Sequence, residues 1–161
     1  MPFGIFSKGK KKRVGIRVGD YVLDLKAVFD SGFLKEITLE DVFEKNYLND
    51  FINLGKVTTN RVRIFVQNEL IRRDSSWKET FDAYFCDVNS VSLHLPLKIG
   101  DYTDFYSSEQ HAFNVGSMFR DPDNALLPNW KHIPVAYHGR SSSIIPSRQD
   151  VIRPKGQQKF D

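Results

Sequence analysis

The sequence predicts an α+β chain, mainly β with helices, built in two parts. Three observations carry that reading. Apolar residues alternate on both sides of a Gly-Asp turn near the start, apolar residues recur at helical spacing through the middle, and the composition changes after Pro96.

Val14, Ile16 and Val18 alternate with arginine and glycine, and Tyr21, Leu23 and Leu25 alternate after them. Between the runs, Gly19-Asp20 makes a two-residue turn whose glycine accepts a positive φ, so 13–25 reads as a tight hairpin. Thr38-Leu-Glu-Asp41 resembles a capping box opening a short helix with Leu39, Val42 and Phe43 on its inner face. Gly55 stops a second short helix that covers Phe51, Ile52 and Leu54. Val62, Phe65, Val66 and Leu70 place a longer helix over 57–73, and Ser76-Trp-Lys-Glu79 starts another carrying Phe81, Tyr84 and Phe85. Val91–Leu95 alternates again and ends at Pro96, which predicts a strand leading out of the first unit. Residues 97–161 hold five of the seven prolines and three of the four histidines, with no clear period. The boundary falls near Pro96–Gly100, giving units of 1–97 and 98–161.

At 161 residues and 40% hydrophobic content, the chain suits one ordinary domain, or a small domain plus part of another, with enough apolar material for a core. No apolar run approaches ~18 residues, so no transmembrane helix and no membrane partner are expected. Met-Pro-Phe-Gly-Ile-Phe lacks the regions of a secretory signal. Cys86 is the single cysteine, which excludes an internal disulfide and a thiolate zinc cluster; a reducing cytoplasm is the expected location.

The formal charge of +3 is uneven: residues 1–100 carry 16 basic and 13 acidic side chains, and 101–161 carry seven of each. Lys8, Lys10, Lys11, Lys12 and Arg13 hold most of the excess. Such a run serves either as a solvated arm into the first strand or as a contact for nucleic acid. No aromatic platform or nucleic-acid-binding signature accompanies it, so nucleic acid is not the expected partner.

Residues that could carry chemistry concentrate between Ile99 and Arg120. Ser107 with Gln110 three residues on predicts a helix over 108–119, and Asp104 and Tyr106 then share one side of the extended lead-in. His111 falls in the first helical turn, where the positive end of the macrodipole favours the neutral imidazole that a general base for water requires. Asp104 offers hard oxygen ligation, Tyr106 a hydroxyl and Arg120 a fork for a carboxylate. Each also has a plain structural reading: Asp104 as a turn or cap residue, His111 as a surface residue, Arg120 as a cation at a helix end. His132 and His138, six apart, share no helix or strand face and make no metal pair. Ser141–Ser143 lack the Gly-x-Ser-x-Gly elbow of a serine hydrolase, and no phosphate-cradling loop is present.

Taken together, Asp101-Tyr-Thr-Asp-Phe-Tyr-Ser-Ser, His111-Ala, Asn114-Val-Gly, Met118-Phe-Arg, Ala125-Leu-Leu-Pro-Asn-Trp130, Tyr137-His-Gly-Arg140, Ser142-Ser-Ile-Ile and Arg153-Pro-Lys-Gly-Gln157 resemble the fumarylacetoacetase family. The likeness is close over 99–157 and looser over Gly4–Phe6 and Val14–Leu25. Ala136 departs from the glycine usual in the family before the Tyr-His-Gly-Arg string. The resemblance implies a small SH3-like β-barrel followed by the beginning of a β-rich catalytic domain of mixed sheets. It also implies hydrolysis of a carbon–carbon bond of 4-fumarylacetoacetate to fumarate and acetoacetate, in tyrosine and phenylalanine catabolism. By that likeness Asp104 ligates a divalent cation, Ca²⁺ or else Mg²⁺ or Mn²⁺, His111 activates water, and Tyr106, Arg120 and Tyr137 hold the substrate. These types suit the chemistry, since cutting a 1,3-diketone needs a hydroxide equivalent, a polarised carbonyl and a stabilised enolate. The family's remaining metal carboxylates fall after Asp161 by the same likeness, so the 161 residues are expected to be an inactive amino-terminal portion of a homodimeric enzyme. The competing expectation is a non-catalytic interaction module that keeps the amino-terminal barrel.

Overall fold

In the computed structural model, which describes residues 1–139, 141–153 and 155–156, the alternating runs form the centre of an antiparallel sheet. Strand β1 (Phe3–Ser7) pairs with β2 (Lys12–Val18), and β2 pairs with β3 (Tyr21–Asp24) through Ile16 opposite Leu23. Gly19 turns the hairpin at φ 58°, which a side chain would resist. Ile5, Val14, Ile16 and Leu23 point to one buried cluster, while their neighbours Phe6 and Val22 point to a second on the opposite face. Period-two alternation therefore serves two cores at once.

Two short strands, β4 (Phe85–Asp87) and β5 (Ser92–His94), complete the order β4-β3-β2-β1-β5. The expected SH3-like barrel is not what forms: among the described residues no pairing joins β4 to β5, and the sheet stays open. The Asp24 carboxylate accepts from the Lys26 and Ala27 N–H groups where β3 ends after four residues and helix α1 (Leu25–Asp30) begins. Most of the chain up to β4 then forms helices and turns, and both edge strands are only three residues long.

The helix expected from Thr38 does not form. Thr38 Oγ1 accepts from the Glu40 N–H at 3.1 Å as a cap would, but the Val42 N–H turns back to the Glu40 carbonyl at 3.1 Å and Asp41 Oδ1 accepts from the Phe43 N–H at 3.3 Å, donors that a helix would send four residues back. Val42 and Phe43 are buried as expected, but Leu39 is 84% exposed. Helix α2 (Asn49–Asn53) buries Phe51 and leaves Ile52 exposed, against the expectation that it would be covered. Gly55, at φ 83°, separates α2 from α3 (Gly55–Ile71), whose Val62 and Val66 are fully buried. The single helix expected after Ser76 is instead one 3₁₀ turn, Ser76–Lys78, followed by the short α4 (Phe81–Tyr84), with Phe85 passing into β4. Trp77 anchors this stretch among Phe33, Phe65, Tyr84 and Phe85, with ring centroids 5.7–6.2 Å away. Glu69 lies on the buried face, seven residues after Val62, and its charge is held there by the Ser75 hydroxyl and by Arg72, each at 2.9 Å.

His94 on β5 bonds Ser7 Oγ across the β1–β5 pair at 2.8 Å. Burial, and then the charge of Lys12, hold its imidazole below the ordinary pKa. The unfolded chain therefore takes up this proton first. Stability from this group is complete above about pH 6.5 and falls as pH drops below that value. His94→Gln is expected to flatten the pH dependence of Tm between about pH 5 and 7. An unaltered slope in thermal melts would remove His94 as its source.

The described residues form two compact units, one of Met1–Lys98 with those from Pro146 onward, the other of Ile99–Ile145. No helix among them is long and apolar enough to cross a membrane.

Candidate functional site

The Ile99–Ile145 unit carries the candidate site. Strand β6 (Thr103–Phe105) runs antiparallel to β7 (Ala136–His138), with Asp104 opposite Tyr137, and the Tyr106 N–H bonds the Val135 carbonyl at 2.8 Å to extend the ladder. Helix α5 (Glu109–Ser117) follows β6 directly. Its cap is Ser108, one residue later than expected, whose hydroxyl accepts from the His111 N–H at 3.3 Å. This cap fixes the first turn and with it the backbone of His111.

Tyr106 lies at the centre of the arrangement. The His111 ring stacks on it with centroids 5.0 Å apart and planes 3° from parallel, and the Tyr137 ring lies 5.4 Å away on a tilt. Tyr106, Arg120 and Tyr137 line one cavity of about 140 Å³, walled further by α5 and by the segment from Ala125 to Val135. That is short of the ~300–1,000 Å³ of pockets that enclose a small molecule. The Arg120 guanidinium donates one bond to the Ala125 carbonyl at 2.9 Å, which aims the fork and leaves other donors for a ligand.

Of the five residues singled out in the sequence, the fold thus brings four together: Tyr106, His111, Arg120 and Tyr137. Asp104 sits beside them on β6 without lining the cavity; its side chain is half-buried and points to the same side of the strand as Tyr106. Arg140, and Pro154 and Gln157 of the last matching string, lie outside the described residues. The second wall was not legible in advance. Ala125 and Trp130 are buried against the cavity within a proline-interrupted segment that has no period to read. Gly116 lets α5 approach this wall so closely that a Cβ there would stand 2.1 Å from the Ala125 carbonyl oxygen.

A divalent cation of the Ca²⁺ kind asks for roughly six to eight oxygens, several from carboxylates. Asp104 has the right hard donor, but among the described residues no three of His, Cys, Asp and Glu come together to hold an ion. These residues alone do not fit a complete cation site.

Comparison with known proteins bears on the same segments. The family described as "Fumarylacetoacetase N-terminal" matches residues 1–96. Over its whole length the chain is 44% identical to the fumarylacetoacetase of Homo sapiens and 45% identical to that of Mus musculus, covering 40% of each. Against the fumarylacetoacetase of Arabidopsis thaliana the identity is 40%, over 98% of this chain and 39% of the relative. The chain therefore spans about 40% of the length of the curated relatives it matches. The match at both ends, over the open sheet and over the segment that brings Tyr106, His111, Arg120 and Tyr137 together, means that this chain belongs to the fumarylacetoacetase family.

Proposed function

We propose that this protein supplies the amino-terminal share of a fumarylacetoacetase active site, hydrolysing 4-fumarylacetoacetate to fumarate and acetoacetate. The observation that carries the reading is the stacked Tyr106–His111 pair beside a cavity lined by Arg120 and Tyr137, in a chain 44% identical to a protein named for that reaction. His111 takes a proton from water as hydroxide adds to a carbonyl carbon of the diketone. The adjacent carbon–carbon bond then breaks, its electron pair passing to the departing carbon as an enolate, and a proton returns to that carbon. Stacking on Tyr106 restricts the tilt of the imidazole, which keeps the base oriented for that water. Arg120 and Tyr137 suit the carboxylate and carbonyl oxygens of the substrate, the first by its fork and the second by its hydroxyl. The reading extends to a cytoplasmic homodimer acting on a small molecule, with neither nucleic acid nor membrane as partner.

Asp104 is proposed as one ligand of a Ca²⁺, Mg²⁺ or Mn²⁺ ion whose remaining ligands lie outside these 161 residues. Asp104→Asn keeps the shape and removes the charge. In the protein expressed from its natural gene, calorimetric titration is expected to show at least about tenfold weaker cation binding with an unchanged fold. Equal affinity in the variant would return Asp104 to the role of a strand residue. The competing reading, a non-catalytic interaction module, predicts no cation dependence at all.

A further inference from the structure

The stacked rings of Tyr106 and His111 sit at the two ends of a short strand-to-helix junction. On the strand side, the Tyr106 N–H is tied to the Val135 carbonyl, and the Ser107 N–H turns back to the Phe105 carbonyl at 3.0 Å, a three-residue turn that bends the chain out of β6 at Tyr106. On the helix side, His111 is the third residue of α5. Side chains of a helix lean toward its N-terminus, so the imidazole projects back over the first turn and onto Tyr106. The stack therefore exists only while that first turn is wound.

Little holds the turn in place. Ser108, Glu109, Gln110 and His111 are all exposed, so burial does not wind it. Glu109 pairs with Lys131 at 3.1 Å, but both side chains are more than half exposed, and such a pair contributes little. The Ser108 hydroxyl is the stronger tie. Its oxygen accepts from the His111 N–H at 3.3 Å, a donor that the start of the helix leaves without a partner, and its hydrogen goes to Gln110 Oε1 at 3.4 Å. Among the described residues this is the one side-chain bond made to the backbone of His111.

We infer that Ser108 is a positioning residue for the reaction, a role that rests on His111 being its base. The cap keeps the first turn of α5 wound, and the wound turn holds the imidazole against Tyr106 in the orientation that proton transfer needs. Ser108 touches no reacting atom in this role. What the position requires is an acceptor for the third N–H of the helix, and an asparagine side chain supplies one as well as a hydroxyl does. That requirement separates Ser108 from a serine that binds substrate or reacts.

Steady-state kinetics of the protein expressed from its natural gene test the role. Replacing an N-cap serine by alanine shifts a helix start toward its frayed state by about 2–30-fold, and Ser108→Ala is expected to lower kcat by a factor in that range with KM nearly constant. Ser108→Asn, a cap without a hydroxyl, is expected to keep the wild-type kcat. In a His111→Ala background, Ser108→Ala is expected to cost nothing further, because residues that act as one unit do not add. A second readout is independent of turnover: the ring-proton NMR resonance of His111, assigned by its absence in His111→Ala. The adjacent Tyr106 ring displaces it from the position of a solvated histidine. It is expected to return toward that position in Ser108→Ala and to stay displaced in Ser108→Asn. Circular dichroism checks that each variant folds. Wild-type kcat with an unmoved resonance in Ser108→Ala, failed rescue by asparagine, or a full second loss in the His111→Ala background would each overturn the role of Ser108. Near-wild-type turnover by His111→Ala would instead remove the base itself, so the two failures are told apart.

Discussion

His111→Ala is expected to lower kcat for 4-fumarylacetoacetate by about 10²–10⁴-fold in the protein expressed from its natural gene, the usual cost of removing a general base. Cation affinity is expected to stay nearly constant, because His111 is assigned the water and Asp104 the ion. The stacked geometry sharpens the test. Tyr106→Phe preserves the ring that lies 5.0 Å from the imidazole, whereas Tyr106→Ala removes it. Activity is expected to fall further in the alanine variant than in the phenylalanine variant, with kcat affected more than KM, since orientation of the base matters most in the transition state. Turnover by His111→Ala near the wild-type rate would end the assignment of that residue as base.

Gly116→Ala is expected to be the most damaging small substitution in the Ile99–Ile145 unit. In a typical exposed helix this change stabilises, by up to about 1 kcal/mol. Here the new Cβ would lie 2.1 Å from the oxygen and 2.8 Å from the carbonyl carbon of Ala125, both backbone atoms that cannot rotate away. Relief requires moving α5 off the segment behind it, and overpacking of this kind costs about 1–3 kcal/mol, occasionally more. The same movement pulls Arg120 from the Ala125 carbonyl and reshapes the cavity. Hydrogen exchange is the suitable readout: amides of α5 are expected to lose protection while those of β1–β3 keep theirs. Protection in α5 equal to the wild type would mean that the close approach is not a constraint.

The parts of the molecule legible in the sequence are those where one strong pattern acts alone. Strict alternation in 14–18 and 21–25, with a glycine free to turn between them, fixed the central hairpin. Helical spacing located α3, and a serine before Gln110 located the start of α5 to within one residue. What could not be read arose from competition between local choices. The Val42 and Phe43 N–H groups go to Glu40 and Asp41 and leave no helix after Thr38, while Asp24 caps a helix where the alternation of 21–25 alone would run one residue further. Within the candidate site, the side chains of the strand–helix junction were legible because Asp104, Tyr106 and His111 are close in sequence. The wall from Ala125 to Val135 is assembled by tertiary packing against Gly116, and no local pattern marks it.

The cavity of Tyr106, Arg120 and Tyr137, with His111 beside it, is proposed to serve carbon–carbon hydrolysis of a 1,3-diketone. The most direct test of that role is the turnover of 4-fumarylacetoacetate by the protein purified from its native source, run beside the 161-residue polypeptide alone, both saturated with Ca²⁺ or Mg²⁺. The native protein is expected to release fumarate and acetoacetate in equal amounts. The isolated polypeptide is expected to release neither, because no three metal-ligating side chains converge among its described residues. A folded, cation-saturated native protein that leaves the diketone intact would contradict that role.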